Sequence, residues 1–328
     1  MVTPPPAWST ILQDILKTPA ERQRLATALN ITPMTLSRWA TGESKPQKNH
    51  LIHLVHAVHP TQRSELIAAL EAIYPDIQTW LKEDTSDQIP SDTYAQILNL
   101  RTTITEALRF WRISEAIARQ ALVLLDPLNQ GMAIRLLRCM PPSPLYGNMV
   151  VSLREHTGKG TPPWNADLEQ DVTFLGMESL CGLAVGERRT VSNNDLRLPH
   201  VEPYFRDKHE ISAAAHPIRL EGMVAGCLLA SSTQVDYFTQ PRLTLLAALS
   251  DLMAVAFDQQ DFYLPSQIML RRLPPPGEQR KLLATFRQRV TAKFQRNTAR
   301  GKPSDNGQIE LEAWCEIEAE LLGLTGNR

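Results

Sequence analysis

Apolar residues change their spacing once along this chain, close to Gly131. Before that point they recur at steps of three and four. Ile97, Leu100, Ile104, Leu108 and Trp111, then Ile117, Ala121 and Leu124, lay an apolar stripe along a helical pattern from 94 to 125, broken at most once. After it come short, nearly uninterrupted apolar runs bounded by turn residues. "GMAIRLLRCM", "NMVVSLREH", "RRTVSN", "ISAAAHPIRL" and "MVAGCLLASS" read as strands. The "EG" between the last two predicts a tight hairpin with its Gly at positive φ. A chain with this single switch predicts an α+β multidomain protein. Helices come first, then an antiparallel sheet with helices packed on one side, then a helical tail.

Punctuation sets the boundaries. At 328 residues the chain has room for about two domains with connectors. Residues 1–81 predict a domain of short helices, with Pro19, Pro33, Pro46 and Pro60 at or near helix starts, where a missing N–H costs nothing. Residues 82–93 are polar and acidic and read as a linker. The sheet domain with its leading helix spans 94–258, ending in "QPRLTLLAALSDLMAVAF". Residues 259–328 form a Pro-rich connector, a basic helix and an acidic helix. Opposite charges adjacent in sequence predict that the last two pair as a hairpin; the alternative is that the basic helix adds phosphate contacts. No internal repeat is visible.

Net charge is −1, so any affinity for polyanions must be local. The start lacks a basic segment followed by an apolar one, and no run approaches the length of a membrane span. Cys139, Cys181, Cys227 and Cys315 have no paired spacing, which predicts reduced thiols in a cytoplasmic protein.

The stretch "RLATALNITPMTLSRWATGESKP" has the pattern of two short helices joined by a tight turn. Leu25, Ala26 and Leu29 make one apolar face, and Asn30 sits where the chain turns. Ile31 plugs the angle, Thr32 is an N-cap, Pro33 suits the first helical position, and Gly42 a C-cap. Leu36 and Trp39 face inward, leaving Met34, Thr35, Ser37 and Arg38 outward. Between Lys17 and Arg63, seven Lys and Arg residues are opposed only by Glu21 and Glu43. This segment resembles the helix-turn-helix of phage-repressor (Xre-type) domains over roughly residues 8–75. The resemblance implies double-stranded DNA as partner, with the second helix of the motif in the major groove. Met34, Thr35 and Arg38 would approach base edges, Arg38 being suited to a bidentate guanine contact. Thr32 and Ser37 would reach phosphate or base, and Lys45 and Lys48 would contact phosphate. Arg22 replaces the family's usual Gln as a backbone contact, and Asn30 its usual Gly.

His50, His53, His56 and His59 recur every third residue, which fans them around a helix rather than converging them on a metal. They predict a solvated helix face.

In the sheet domain, Gly186, Val191, Asp195, Pro217–Ile218, Gly222, Gly226–Leu228 and Phe238–Thr239 stand in an order that resembles a GAF domain. The resemblance implies a sensory or dimerising module that holds a small molecule between sheet and variable loops. Candidate lining residues are Cys181, Asp195, Tyr204, Phe205, His209 and His216. Cyclic-nucleotide and bilin patterns are incomplete or missing, and Cys181 and Cys227 lack the clustering that a sulfoxide reductase of this kind needs. No phosphate loop or nucleophile elbow stands elsewhere, so no enzyme activity is expected. The sequence thus predicts a homodimeric, ligand-responsive transcriptional regulator. The rival expectation is an adaptor whose head binds protein instead of DNA.

Overall fold

The computed structural model describes residues 7–29, 31–83, 88–168, 172–198, 207–299 and 305–325. The chain divides into two compact units, Met1–Ser86 with Pro127–Asn129, and Asp87–Asp126 with Gln130–Arg328.

The first unit is helical: α1 (Ala7–Ile15), α2 (Pro19–Ala28), α3 (Pro33–Thr41), α4 (Lys48–Ala57), α5 (Pro60–Glu71) and α6 (Ile77–Glu83). Local signals set its boundaries. Thr18 and Thr32 accept hydrogen bonds from the backbone amides of Glu21 and Thr35, and Pro19 and Pro33 occupy the first helical positions. Gly42 ends α3 at φ 79°, a left-handed conformation that glycine adopts without a Cβ clash. Trp8, Leu12, Leu25, Leu36, Leu51 and Leu66 meet in the centre. Gln13 Nε2 donates to the Ala40 carbonyl at 2.7 Å, tying α1 to the end of α3. The linker expected at 82–93 is shorter in its described parts, since α6 reaches Glu83; residues 84–87 lie outside the described residues.

The second unit opens with α7 (Ser91–Thr103) and α8 (Glu106–Leu125). The long apolar stripe is therefore two helices. They break within the β-branched run Thr102–Thr105, where Ile104 and Thr105 are extended. Then follow β1 (Met132–Cys139), β2 (Leu153–Gly160), β3 (Phe174–Leu175), α9 (Leu180–Glu187), β4 (Val191–Asn193), β5 (Ser212–Leu220), β6 (Met223–Ser232) and α10 (Gln240–Met253). The strands form one antiparallel sheet in the order β3-β2-β1-β6-β5-β4. The hairpin between β5 and β6 turns through Glu221 and Gly222, both at positive φ (51° and 80°), the geometry that matches strand twist. β2 starts later than its apolar run. Val150 and Val151 instead exchange backbone hydrogen bonds with Gln267, Met269 and Arg271.

Both faces of the sheet are covered, not one. Ile134, Leu136, Leu228 and Ala230 pack against Ile113 and Ile117 of α8 and Leu245 and Leu249 of α10. Leu137, Cys139, Cys227 and Leu229 point to the opposite face, against Cys181, Ala184 and Val185 of α9. Burial on both faces explains why β1, β5 and β6 read as continuous apolar runs rather than alternating ones.

The tail comprises α11 (Pro276–Leu283), α12 (Phe286–Ala299) and α13 (Asn306–Thr325). The expected hairpin is present. Arg289 pairs with Glu320 at 2.8 Å, and Lys293 with Glu316 at 2.7 Å. Phe286 stacks on Trp314 at 3.8 Å between ring centres. The hairpin docks on the β2–β3 end of the sheet through Phe174, Leu273, Trp314, Ile317 and Leu321. Gln279, wholly buried, acts there as a stand-in strand. Its side chain accepts from Phe174 N–H at 2.9 Å and donates to the Phe174 and Pro274 carbonyls at 2.8 and 2.7 Å. An edge strand that would otherwise bury unpaired backbone groups is thereby satisfied.

Candidate functional site

Where the tail meets the sheet, a cavity of about 1130 Å³ remains. Its floor is the α9-side face of the sheet. Alternation along the strands brings Arg135 of β1, Glu155 of β2, Ala213 of β5 and Leu229 of β6 to this side. The register of β1 against β2 shifts between Leu136 and Leu137, so β2 carries an extra residue there. That bulge separates Glu155, which lines the cavity, from His156, whose ring packs on Phe110 and Trp111. Burial and the neighbouring Arg154 and Arg138 guanidinium groups push the His156 imidazole well below its ordinary range.

The floor is charged. Arg135 is buried and pairs with Glu155 (3.3 Å) and Asp207 (2.9 Å). Glu210, also buried, accepts from the Ser231 hydroxyl at 2.6 Å and from the Asp207 amide at 3.1 Å. Burial raises its pKa above the usual carboxylate value against the pull of those hydrogen bonds and of Arg135. The wall opposite comes from the tail: Pro276, Arg280 and Leu283 of α11 and Phe286 and Arg287 of α12, with Trp314 of α13 behind.

Of the six residues expected to line a pocket, Cys181 does so. Tyr204 and Phe205 lie outside the described residues. Asp195 holds its own loop, accepting from Arg197 Nε and Nη2 at 2.8 and 2.7 Å. His209 stands against Trp164. His216 is buried on β5 with Nδ1 2.7 Å from the Thr190 hydroxyl, and burial lowers its pKa to about 4. Asp195, His209 and His216 do not line the cavity. The spacing of the cysteines hides one proximity: Cys227 of β6 and Cys181 of α9 share an apolar cluster. The neighbouring Cys227 thiol and burial hold the Cys181 thiol well above its ordinary pKa, so it is protonated and a poor nucleophile.

Arg135, Glu155, Asp207 and Glu210 were not singled out by sequence reasoning. A signal for two of them existed, since Arg135 and Glu155 interrupt strand runs that are otherwise apolar, and a charge buried in a sheet requires a partner. Arg280 and Arg287 carried no such signal, being two among many cations of the basic tail.

In the first unit, α3 presents Met34 at 63% exposure and an exposed Arg38. Among the described residues, Arg38 has no ion-pair partner. Thr32 is engaged as N-cap, its Oγ1 lying 3.0 Å from Thr35 Oγ1. Ser37 donates to the Pro33 carbonyl at 3.1 Å. Arg22 Nη2 donates to the Leu16 carbonyl at 3.2 Å, while its Nε is buried with no partner among the described residues. Lys45 is exposed; Lys48 lies 5.1 Å above the Trp80 ring centre. His50 packs against Trp39, and His53 and His59 are exposed. Among the described residues no cluster of His, Cys, Asp or Glu is arranged to hold a metal ion, and no helix is long and apolar enough to cross a membrane.

A central antiparallel sheet with helices on both faces and a cavity against one of them defines an α/β domain. Residues 115–258 match the GAF domain family, and this central segment is a GAF domain. The N-terminal helical region has no family match. No curated protein matches the chain. Three solved structures illustrate its likenesses. The type II free methionine-R-sulfoxide reductase from Thermoplasma acidophilum is 18% identical, over 50% of this chain and 99% of that one, with a TM-score of 0.34. For the Staphylococcus aureus fRMsr solved with substrate, the values are 17%, 49%, 94% and 0.32. For the GAF domain from a Coxiella burnetii phosphoenolpyruvate-protein phosphotransferase they are 13%, 50%, 90% and 0.36.

Proposed function

We propose that this chain is a one-component transcriptional regulator, in which the GAF domain binds a small molecule and the N-terminal helices bind double-stranded DNA. The observation that carries the DNA half is the outward side of α3. A helix capped at both ends by Thr32 and Gly42 presents Met34 and Arg38, which has no ion-pair partner among the described residues, to solvent, beside the cations Lys45 and Lys48. That combination suits a helix whose first turns enter a major groove, with flanking lysines on phosphate. Arg38 would read guanine, and Met34 would offer apolar contact to a thymine methyl. Arg22 and Ser37, bonded to backbone carbonyls in the free protein, would have to exchange those bonds for phosphate.

The small-molecule half rests on the cavity. Its floor presents the charged side chains of Arg135, Glu155, Asp207 and Glu210, which a polar ligand can engage. With Cys181 held protonated, the domain binds its ligand rather than transforming it. The protein works as a homodimer, because one head of this kind covers half of a two-fold site. The exposed Tyr94 and Leu98 of α7 and Leu108 and Trp111 of α8 offer an apolar seam.

Selection of bound duplexes from a randomised pool tests the reading. The full chain should enrich one motif with two-fold symmetry, and Arg38→Ala should lose it. A chain that enriches nothing and binds no duplex is an adaptor, not a regulator.

A further inference from the structure

The cavity separates its charges. Its floor holds three carboxyl groups, those of half-buried Glu155 and Asp207 and of buried Glu210, against one guanidinium among the described residues, that of Arg135. Its mouth holds Lys208, Arg280 and Arg287, all exposed. Among the described residues, no carboxylate lies within ion-pair distance of these three cations. In the tail, by contrast, Arg289 and Lys293 are matched to glutamates of α13. Three carboxyls around one cation leave the floor in need of positive charge, and a mouth of unmatched cations attracts negative charge.

We propose that the cavity binds a small amphoteric molecule, its cationic end among Glu155, Asp207 and Glu210 and its anionic end at Lys208, Arg280 and Arg287. This inference rests on the reading of the cavity as the ligand site. It also assigns work to the tail. Arg280 and Arg287 lie beyond the matched segment 115–258, so the GAF domain contributes only part of the site. An amphoteric ligand would join the sheet floor to the helical hairpin that α11 and α12 begin. A purely anionic ligand would be held by the mouth but repelled by the floor. A purely cationic one would meet the reverse.

Calorimetric titration of the full chain with four matched series of graded length separates these cases: linear ω-aminocarboxylates, dicarboxylates, diamines and uncharged diols. The expected result is that an aminocarboxylate binds at least about tenfold more tightly than the dicarboxylate, diamine or diol of its length. Arg280→Gln with Arg287→Gln should erase the advantage over the diamine, and Glu155→Gln that over the dicarboxylate. The two mouth arginines are exposed, so their variant should keep the unliganded melting temperature, and lost binding then reports on the site. Tightest binding by another series, abolished by either variant, overturns the amphoteric assignment while leaving the cavity as the ligand site. Binding by none of the four overturns both, and so does binding that neither variant changes.

Discussion

The two units of this chain are specified in different ways. In the first, the residues that define each helix are neighbours in sequence: Thr32 caps its own helix, Pro33 starts it and Gly42 ends it. In the second, the decisive contacts join distant residues. Gln279 completes the edge strand at Phe174, and Arg135 links Glu155 to Asp207. The surface proposed to read DNA belongs to the first kind, since one short helix suffices to display it. The cavity belongs to the second, assembled from β1, β2, β3, β5 and β6 together with α9 and the tail.

The largest effect that tests this contrast should come from the core of the head. Leu36, fully buried, should cost about 2–5 kcal/mol of the first unit's stability when replaced by Ala. Denaturant unfolding followed by Trp39 fluorescence would show it. A shift of a few tenths of a kcal/mol would mean that this core is not the one described.

Gln279→Ala should rank next. It leaves the Phe174 N–H and C=O buried without partners, at a cost of about 2–4 kcal/mol. Hydrogen exchange at the Phe174 amide should quicken together with that of the tail helices. Unchanged protection at Phe174 would show that something else completes the edge.

A smaller effect concerns pH. Burial raises Glu318 of α13 to about 7, although the Ser152 hydroxyl donates to it. The folded state therefore holds a proton that the unfolded chain releases near the ordinary value. The second unit should lose stability as pH rises from about 4.5 through 7, by on the order of 2 kcal/mol. His216 works in the opposite direction. With its folded pKa lowered to about 4, its contribution is full above about 6.5 and is lost as pH falls toward 4. The two slopes oppose each other in the wild type. Glu318→Gln should remove its falling contribution, so that stability depends more positively on pH across that window than in the wild type. An unaltered pH profile would contradict the buried, protonated Glu318.

The smallest effect is local again. Thr32→Ala removes the N-cap of α3 and should cost about 1 kcal/mol, seen as a lower unfolding midpoint of the first unit. If the midpoint does not move, the cap contributes nothing to holding α3.

How much of this was legible in the sequence follows the same division. Helix starts at Pro19 and Pro33, the αL residue Gly42, the β5–β6 hairpin and the charge-paired tail could all be read from short windows. The break at Ile104, the delayed start of β2 and the second covered face could not, because they depend on what lies opposite each segment. The site was the least legible. Cys181 was found because it stands beside a recognisable element. Asp195 and His216 were plausible by type, yet each satisfies its own loop or strand. Arg280 reaches the cavity only because Gln279 anchors α11 against β3.

The central claim is that α3 reads nucleobases while neighbouring cations hold the phosphates. Titrating the full chain with a selected duplex across a range of salt concentrations tests it most directly. The claim predicts affinity that falls steeply with salt, a slope lowered by about one when Lys45 is replaced by Ala, and loss of discrimination between duplexes in Arg38→Ala. No retention of any duplex at low ionic strength would contradict it, and so would affinity indifferent to both salt and Arg38.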